Sequence, residues 1–84
     1  MITRSTNFRQ HYKDFKKDLG HLLHECRLKN NKTLSQVANE TGWQLGSLER
    51  MEMGKLPTDF LWKVIRLARF YGYRIKVVPE EKGQ

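Results

Sequence analysis

Several kinds of chemistry have no foothold in this chain. It contains a single cysteine, Cys26, so no internal disulfide can form. Cys26 stands beside Leu19, Leu22 and Leu23 at helical spacing. That marks it as a small hydrophobe on an apolar helix face rather than a reactive thiol, and a reducing, cytoplasmic setting fits. No apolar run is long enough to span a bilayer, and the first residues carry no signal-peptide pattern. There is no glycine-rich phosphate loop, and no nucleophile, base and orienting acid form a set, so an enzyme is not expected. The histidines are His11, His21 and His24. His21 and His24 share a helix face, but Cys26 points to the core side, and a metal site needs three or four converging ligands. The expectation is surface histidines, with no metal and no cofactor.

Acidic side chains are outnumbered, sixteen Lys and Arg against nine Asp and Glu, for a formal net charge of +7. That balance favours a polyanionic partner, although charge alone speaks only to non-specific attraction. Residues 1–32 carry +5, residues 33–56 carry −1 and residues 57–84 carry +3. The positive charge therefore lies on the flanks of a nearly neutral central stretch. With 84 residues the chain has room for one small domain of four to five helices.

The central stretch, residues 33–55, reads TLSQVANETGWQLGSLERMEMGK. Thr33 with Gln36 three residues on has the form of a capping box. Val37, Ala38 and Thr41 fall at helical spacing, and Gly42 supplies the residue free to take positive φ where the chain turns. A second periodic run, Leu45, Leu48, Met51 and Glu52, ends at Gly54. Two short helices joined by a glycine turn form a helix-turn-helix, whose second helix can lie in the major groove of DNA.

Around this motif, residues 1–6 are expected to be disordered, and Asn7 with Gln10 offers a cap for a long first helix. Phe8, Tyr12, Phe15, Leu19, Leu22, Leu23 and Cys26 would form its apolar stripe. Gly20 interrupts it at a cost of about 1 kcal/mol relative to alanine, marking either a break or a close helix contact. Asn30-Asn31 ends the helix. Beyond the motif, Thr58 is placed to cap a helix with Phe60, Leu61, Val64, Ile65, Ala68 and Tyr71 on its buried face. Trp62, Leu67 and Phe70 widen the apolar surface, as expected of a helix that packs on something else as well. Gly72 ends the domain, taken as residues 7–72. Tyr73, Ile75 and Val77 alternate with Arg74 and Lys76 up to Pro79, the pattern of a short strand over 73–79. A lone strand has no partner within the chain. Either a second copy pairs with it across a two-fold axis, or the segment folds back on its own helices. Residues 80–84 read as a flexible tail.

The motif resembles the phage-repressor helix-turn-helix family, of Cro-like and lambda-repressor-like type. The matching residues are Arg27, Thr33, Val37-Ala38, Gly42, Leu48, Met51 and the Glu52-x-Gly54-Lys55 ending. The resemblance runs from about Leu22 to Gly72. It implies an all-α bundle, a C-terminal strand that pairs in a dimer, and double-stranded DNA as the partner. By resemblance, Gln44, Leu45, Gly46, Ser47 and Arg50 occupy the positions that meet base edges. Gln44 suits adenine, Arg50 a bidentate bond to guanine, Ser47 a base or phosphate, and Leu45 a thymine methyl. Gly46 would let the backbone come close. The alternatives are that Gln44 merely starts the helix, Leu45 is core and Arg50 pairs with Glu49 or Glu40. Lys32, Ser35, Gln36 and Lys55 are candidates for phosphate contact, Leu34 standing where relatives often carry a glutamine. Arg27 and Glu52 are expected to form an internal ion pair and, with Ala38 and Gly42, to be structural. Trp43 replaces a small aliphatic residue and belongs to the core. Trp62, Phe70, Tyr73, Ile75 and Val77 are the candidates for dimerisation.

The function this implies is a dimeric, sequence-specific regulator, most naturally a repressor of an inverted-repeat operator in bacterial, phage or plasmid DNA. Two alternatives remain. One is an antitoxin or adaptor that binds a protein partner such as a toxin and regulates its own promoter. The other is a low-specificity nucleoid or plasmid-maintenance protein.

Overall fold

The computed structural model describes residues 3–56 and 60–76, with side chains from residue 9 onward. Four helices follow in order: α1 Thr3–Lys29, α2 Leu34–Thr41, α3 Leu45–Glu52 and α4 Phe60–Phe70. No strand occurs among the described residues. α1 begins at Thr3, ahead of the expected cap Asn7, which lies inside the helix. An asparagine in a helix interior carries only a modest propensity cost, so it does not force a start there. Its 27 residues correspond to about 40 Å and account for the long axis of the molecule, 47 Å.

The core is built by Leu19, Leu23 and Cys26 of α1, Val37 of α2, Leu48 and Met51 of α3, Leu56, and Phe60, Val64, Leu67 and Tyr71 of α4 and its turn. Leu23, Val37, Leu48, Val64 and Leu67 are shut off from solvent, each contributing about 1.5–3 kcal/mol. Two expected stripes are narrower than their periodicity implied. On α1, Tyr12 and Phe15 are exposed because the buried face of this helix begins only at Leu19, and Leu22 is exposed because it stands beside the inward line of Leu19, Leu23 and Cys26. On α4, Leu61 and Ile65 are exposed while Leu67 is buried. The spacing 60, 64, 67, 68, 71 defines the inward face, and 61 and 65 stand on the stripe beside it.

Three helices end in the same way. Asn31 (φ 56°), Gly54 (φ 82°) and Gly72 (φ 92°) are left-handed. In each, paired backbone bonds close the end: Asn31 N to Leu28 O with Lys32 N to Arg27 O, Gly54 N to Met51 O with Lys55 N to Arg50 O, and Gly72 N to Arg69 O with Tyr73 N to Ala68 O. This is the Schellman arrangement. Asn30 ties the first of these ends to the last, its Nδ2 donating to Cys26 O at 2.9 Å and Tyr71 O at 3.3 Å. After Gly72 the chain runs as irregular structure through Lys76, with Ile75 packed on the chain's own core. Pro57, Thr58, Asp59 and the expected strand and tail from Val77 on lie outside the described residues.

Candidate nucleic-acid interface

The frame of the motif is fixed by local hydrogen bonds. Gln36 N donates to Thr33 Oγ1 at 3.1 Å and Thr33 N donates to Gln36 Oε1 at 2.8 Å, a complete capping box at the start of α2. The Gln36 side chain is thereby committed to the cap. Gly42 is left-handed (φ 79°) and its N–H reaches Ala38 O at 2.9 Å. Nothing lies within 4 Å of where its Cβ would be, so backbone conformation, not space, requires the glycine. The three-residue turn 42–44 is closed further by Thr41, whose Oγ1 donates to Val37 O at 2.7 Å and accepts from Trp43 N at 3.2 Å. Trp43 packs against the core, as does Ala38.

α3 starts at Leu45. Gln44 precedes it in extended conformation and makes no side-chain cap, so its exposed amide is free of the helix start. Leu45 is 41% exposed and is not a core residue. Arg50 is exposed and pairs with neither Glu49 nor Glu40 among the described residues. A Cβ on Gly46 would lie 3.6 Å from Arg50 Nη1, so the guanidinium lies back along α3 over the glycine. Gln44, Ser47 and Arg50, spaced by three, present one face to an open groove of about 920 Å³.

Behind that face, Arg27 and Glu52 lock α1 to the end of α3. Arg27 Nε lies 2.8 Å and Nη2 3.1 Å from the two carboxylate oxygens, and Nη1 donates to Lys32 O at 3.0 Å. His24 Nδ1 stands 2.9 Å from Glu52 Oε1 and 3.1 Å from Arg27 Nη2, so the imidazole belongs to the same cluster. Burial pushes the Glu52 carboxyl upward, but hydrogen bonds from Arg27 and His24, together with their charges, outweigh it and hold the group below its ordinary value. Nearby, burial and the Glu52 charge push the Tyr71 phenol up to about 12, and its buried hydroxyl has no hydrogen-bond partner among the described residues.

The remaining expected site residues are dispersed. Ser35 and Lys55 are exposed. Lys32 Nζ is held by Glu40 at 2.9 and 3.2 Å. Trp62, Phe70 and Tyr73 are exposed at 52%, 37% and 39%, whereas Ile75 is taken up by the core and Val77 lies outside the described residues. Sequence reasoning named Thr41, His24 and Asn30 but not the bonds they make: Thr41 closes the turn, Asn30 ties two helix ends together, and His24, expected as a surface histidine, joins the Arg27–Glu52 pair. It placed the positive charge on the flanks without singling out the lysines of α1 that share the groove with α3, since charge counting does not say which face a cation is on. No group of three or more His, Cys, Asp or Glu that could hold a metal occurs among the described residues, nor any helix long and apolar enough to cross a membrane.

No curated protein and no solved structure matches the chain. A family model described as a helix-turn-helix domain matches residues 18–74, well over half of the sequence. The match takes in the C-terminal part of α1, the capped and turned pair α2–α3, and α4. It is to helix-turn-helix domains in general rather than to phage repressors in particular. The chain belongs to the helix-turn-helix domain family.

Proposed function

We propose that this protein is a sequence-specific regulator that binds double-stranded DNA as a dimer and represses an inverted-repeat operator. The observation that carries this reading is the uncommitted first face of α3. Gln44 and Arg50 are exposed, bonded neither to a cap nor to a carboxylate, while the Arg27–Glu52 pair fixes the helix behind them. Inserted in the major groove, Gln44 would read adenine, Arg50 guanine in bidentate fashion, and Leu45 a thymine methyl. Ser47 would contact a base or a phosphate, and Gly46 would let the backbone come close. Lys55 and Ser35 would hold phosphates. Lys32 would join them by exchanging Glu40 for phosphate, because an exposed pair is worth only about 0.2–1 kcal/mol. Gln36 would contribute through its place in the cap.

The dimer is supported by the apolar surface on the outer side of α4, where Leu61, Trp62, Ile65 and Phe70 are all exposed. Two copies joined there would present α3 to successive major grooves about 34 Å apart. The same face is what an antitoxin or adaptor would offer a protein partner, and sedimentation of the purified chain separates the two. A monomer that becomes stoichiometric only with a host protein would favour the adaptor.

The test is selection of sites from a random duplex library at physiological salt. An enriched inverted repeat is the expected result; retention of all sequences alike would replace the repressor by a low-specificity binder. Within the enriched site, Arg50→Ala is expected to relax preference at one base pair per half-site by about 1–3 kcal/mol. Unchanged preference in that variant would remove Arg50 from the readout.

A further inference from the structure

The groove in front of α3 has a second wall. Besides Arg50 and Lys55 it is lined by Lys13, Lys16 and Lys17 of α1 and by Lys63 of α4. Six cations face it and, among the described residues, no acidic one does. Among the described residues none of the six is paired with a carboxylate, and the three ion pairs found there use His24, Arg27 and Lys32 instead. The cations expected from the motif alone to meet phosphate are thus partly engaged, and ones without a carboxylate partner gather on the α1 side, Lys16 Nζ resting over the Tyr12 ring at 4.9 Å.

The backbone explains why they gather there. A Cβ on Gly20 would come within 2.7 Å of Glu52 O, and one on Gly54 within 2.9 Å of Lys17 Cα and 3.3 Å of Lys16 O. α1 is therefore in backbone contact with the end of α3 along residues 16–20. Lys16 and Lys17 at the start of this stretch and Lys13 one turn before them, at spacing i, i+3, i+4, line the groove together with Arg50, Gly54 and Lys55. Tyr12 and Phe15 brace this stretch by edge contacts to Phe60, with ring centres 6.3 and 6.4 Å apart. Residues 3–17 of α1 precede the span matched by the helix-turn-helix family model.

We infer that the N-terminal half of α1 is a phosphate clamp, in which Lys13, Lys16 and Lys17 grip the backbone of the DNA duplex whose bases meet α3. The inference rests on the DNA-binding reading above and adds to it a contact surface outside the helix-turn-helix unit. A duplex carries one negative charge per about 1.7 Å of axis, so a wall of lysines one helical turn apart can meet consecutive phosphates of one strand.

The test is fluorescence anisotropy of a mixed-sequence duplex with the full chain over a salt series. Each phosphate contact contributes about 0.9 to the slope of log K against log salt, so Lys13→Gln/Lys16→Gln/Lys17→Gln should lower the slope by about 2.7. The glutamines keep the aliphatic stems, including that of Lys17 against Gly54, and circular dichroism verifies the fold. The arginine triple variant should keep the slope. Lys29→Gln/Arg69→Gln/Arg74→Gln removes the same charge elsewhere and should leave the slope near that of the parent. An unchanged slope in the α1 variant, or an equal loss in the control, overturns the clamp while leaving DNA binding intact. Failure of the parent chain to bind the duplex at any salt overturns both.

Discussion

Replacing Gly20 with alanine sets two effects of opposite sign against each other. Helix propensity alone favours alanine by about 1 kcal/mol in a helix interior, and Gly20 lies well inside α1, which runs Thr3–Lys29. The packing opposes it. The added methyl would stand 2.7 Å from Glu52 O, 2.8 Å from Gly54 N and 2.8 Å from Met51 O. All three are backbone atoms of the Schellman end of α3, and none can rotate away as the tip of a flexible side chain would. Overpacking costs about 1–3 kcal/mol, and three backbone contacts at once place this site at the upper end. Subtracting the propensity gain leaves about 2 kcal/mol of net destabilisation.

For a domain of this size about 1 kcal/mol moves Tm by about 4–8 °C, so Gly20→Ala should melt about 8–16 °C below the parent. Thermal unfolding followed by circular dichroism reads this directly. A Tm equal to or above that of the parent would mean that propensity governs and that α1 does not approach α3 so closely. The groove described above would then be wrongly shaped, since its α1 wall is positioned by this contact.

Two further outcomes concern the polar groups behind the motif. Tyr71→Phe removes a buried hydroxyl that has no partner among the described residues. An unsatisfied buried group carries a desolvation cost, so the variant should be as stable as the parent or more stable by about 1 kcal/mol, as judged by its urea midpoint. The parent should also lose stability as pH rises from 10 through about 12, because the raised phenol is favoured only while protonated, and Tyr71→Phe should lack that loss. Glu52 runs the other way. Its pKa is held below 4.5 in the fold, so its contribution is complete above 4.5 and disappears as pH falls through the depressed value. The urea midpoint of the parent should therefore drop through the acid range more steeply than that of Glu52→Gln; parallel curves would show that the Arg27 pair does not set the acid limit.

What the sequence disclosed depended on how local each signal was. The capping box of Thr33 and Gln36, the left-handed Gly42 and the stop at Gly54 are settled within a few residues of chain, and each is present in the structure. Arg27 and Glu52, 25 residues apart, were legible only through the family resemblance. Gly20 was ambiguous between a break and a contact because the deciding atoms belong to residues 51–54. Leu22, Leu61 and Ile65 satisfy helical periodicity yet stand exposed, since periodicity marks an apolar stripe without saying how much of it a neighbour covers. The pattern over 73–76 alternates like a strand, but in a single chain the ladder bonds have no partner, and burial of Ile75 on the core is what remains of the alternation.

Charge was the least legible property, for a reason the ion pairs make plain. Counted along the sequence, residues 33–56 sum to −1, as though the reading helix offered nothing to a polyanion. Yet two of the three acids in that stretch, Glu40 and Glu52, are paired with Lys32 and Arg27 from outside it. What the motif leaves unpaired is Arg50 and Lys55 against Glu49, a balance of +1. The same pairing withdraws two cations from residues 1–32 and lowers their free balance from +5 to +3. Charge thus moves from the flank toward the motif as the chain folds, and Lys13, Lys16 and Lys17 then meet Arg50 and Lys55 across one groove. Within a Debye length of about 8 Å at physiological salt, it is this local balance, and not the sum along any stretch of sequence, that an approaching phosphate experiences.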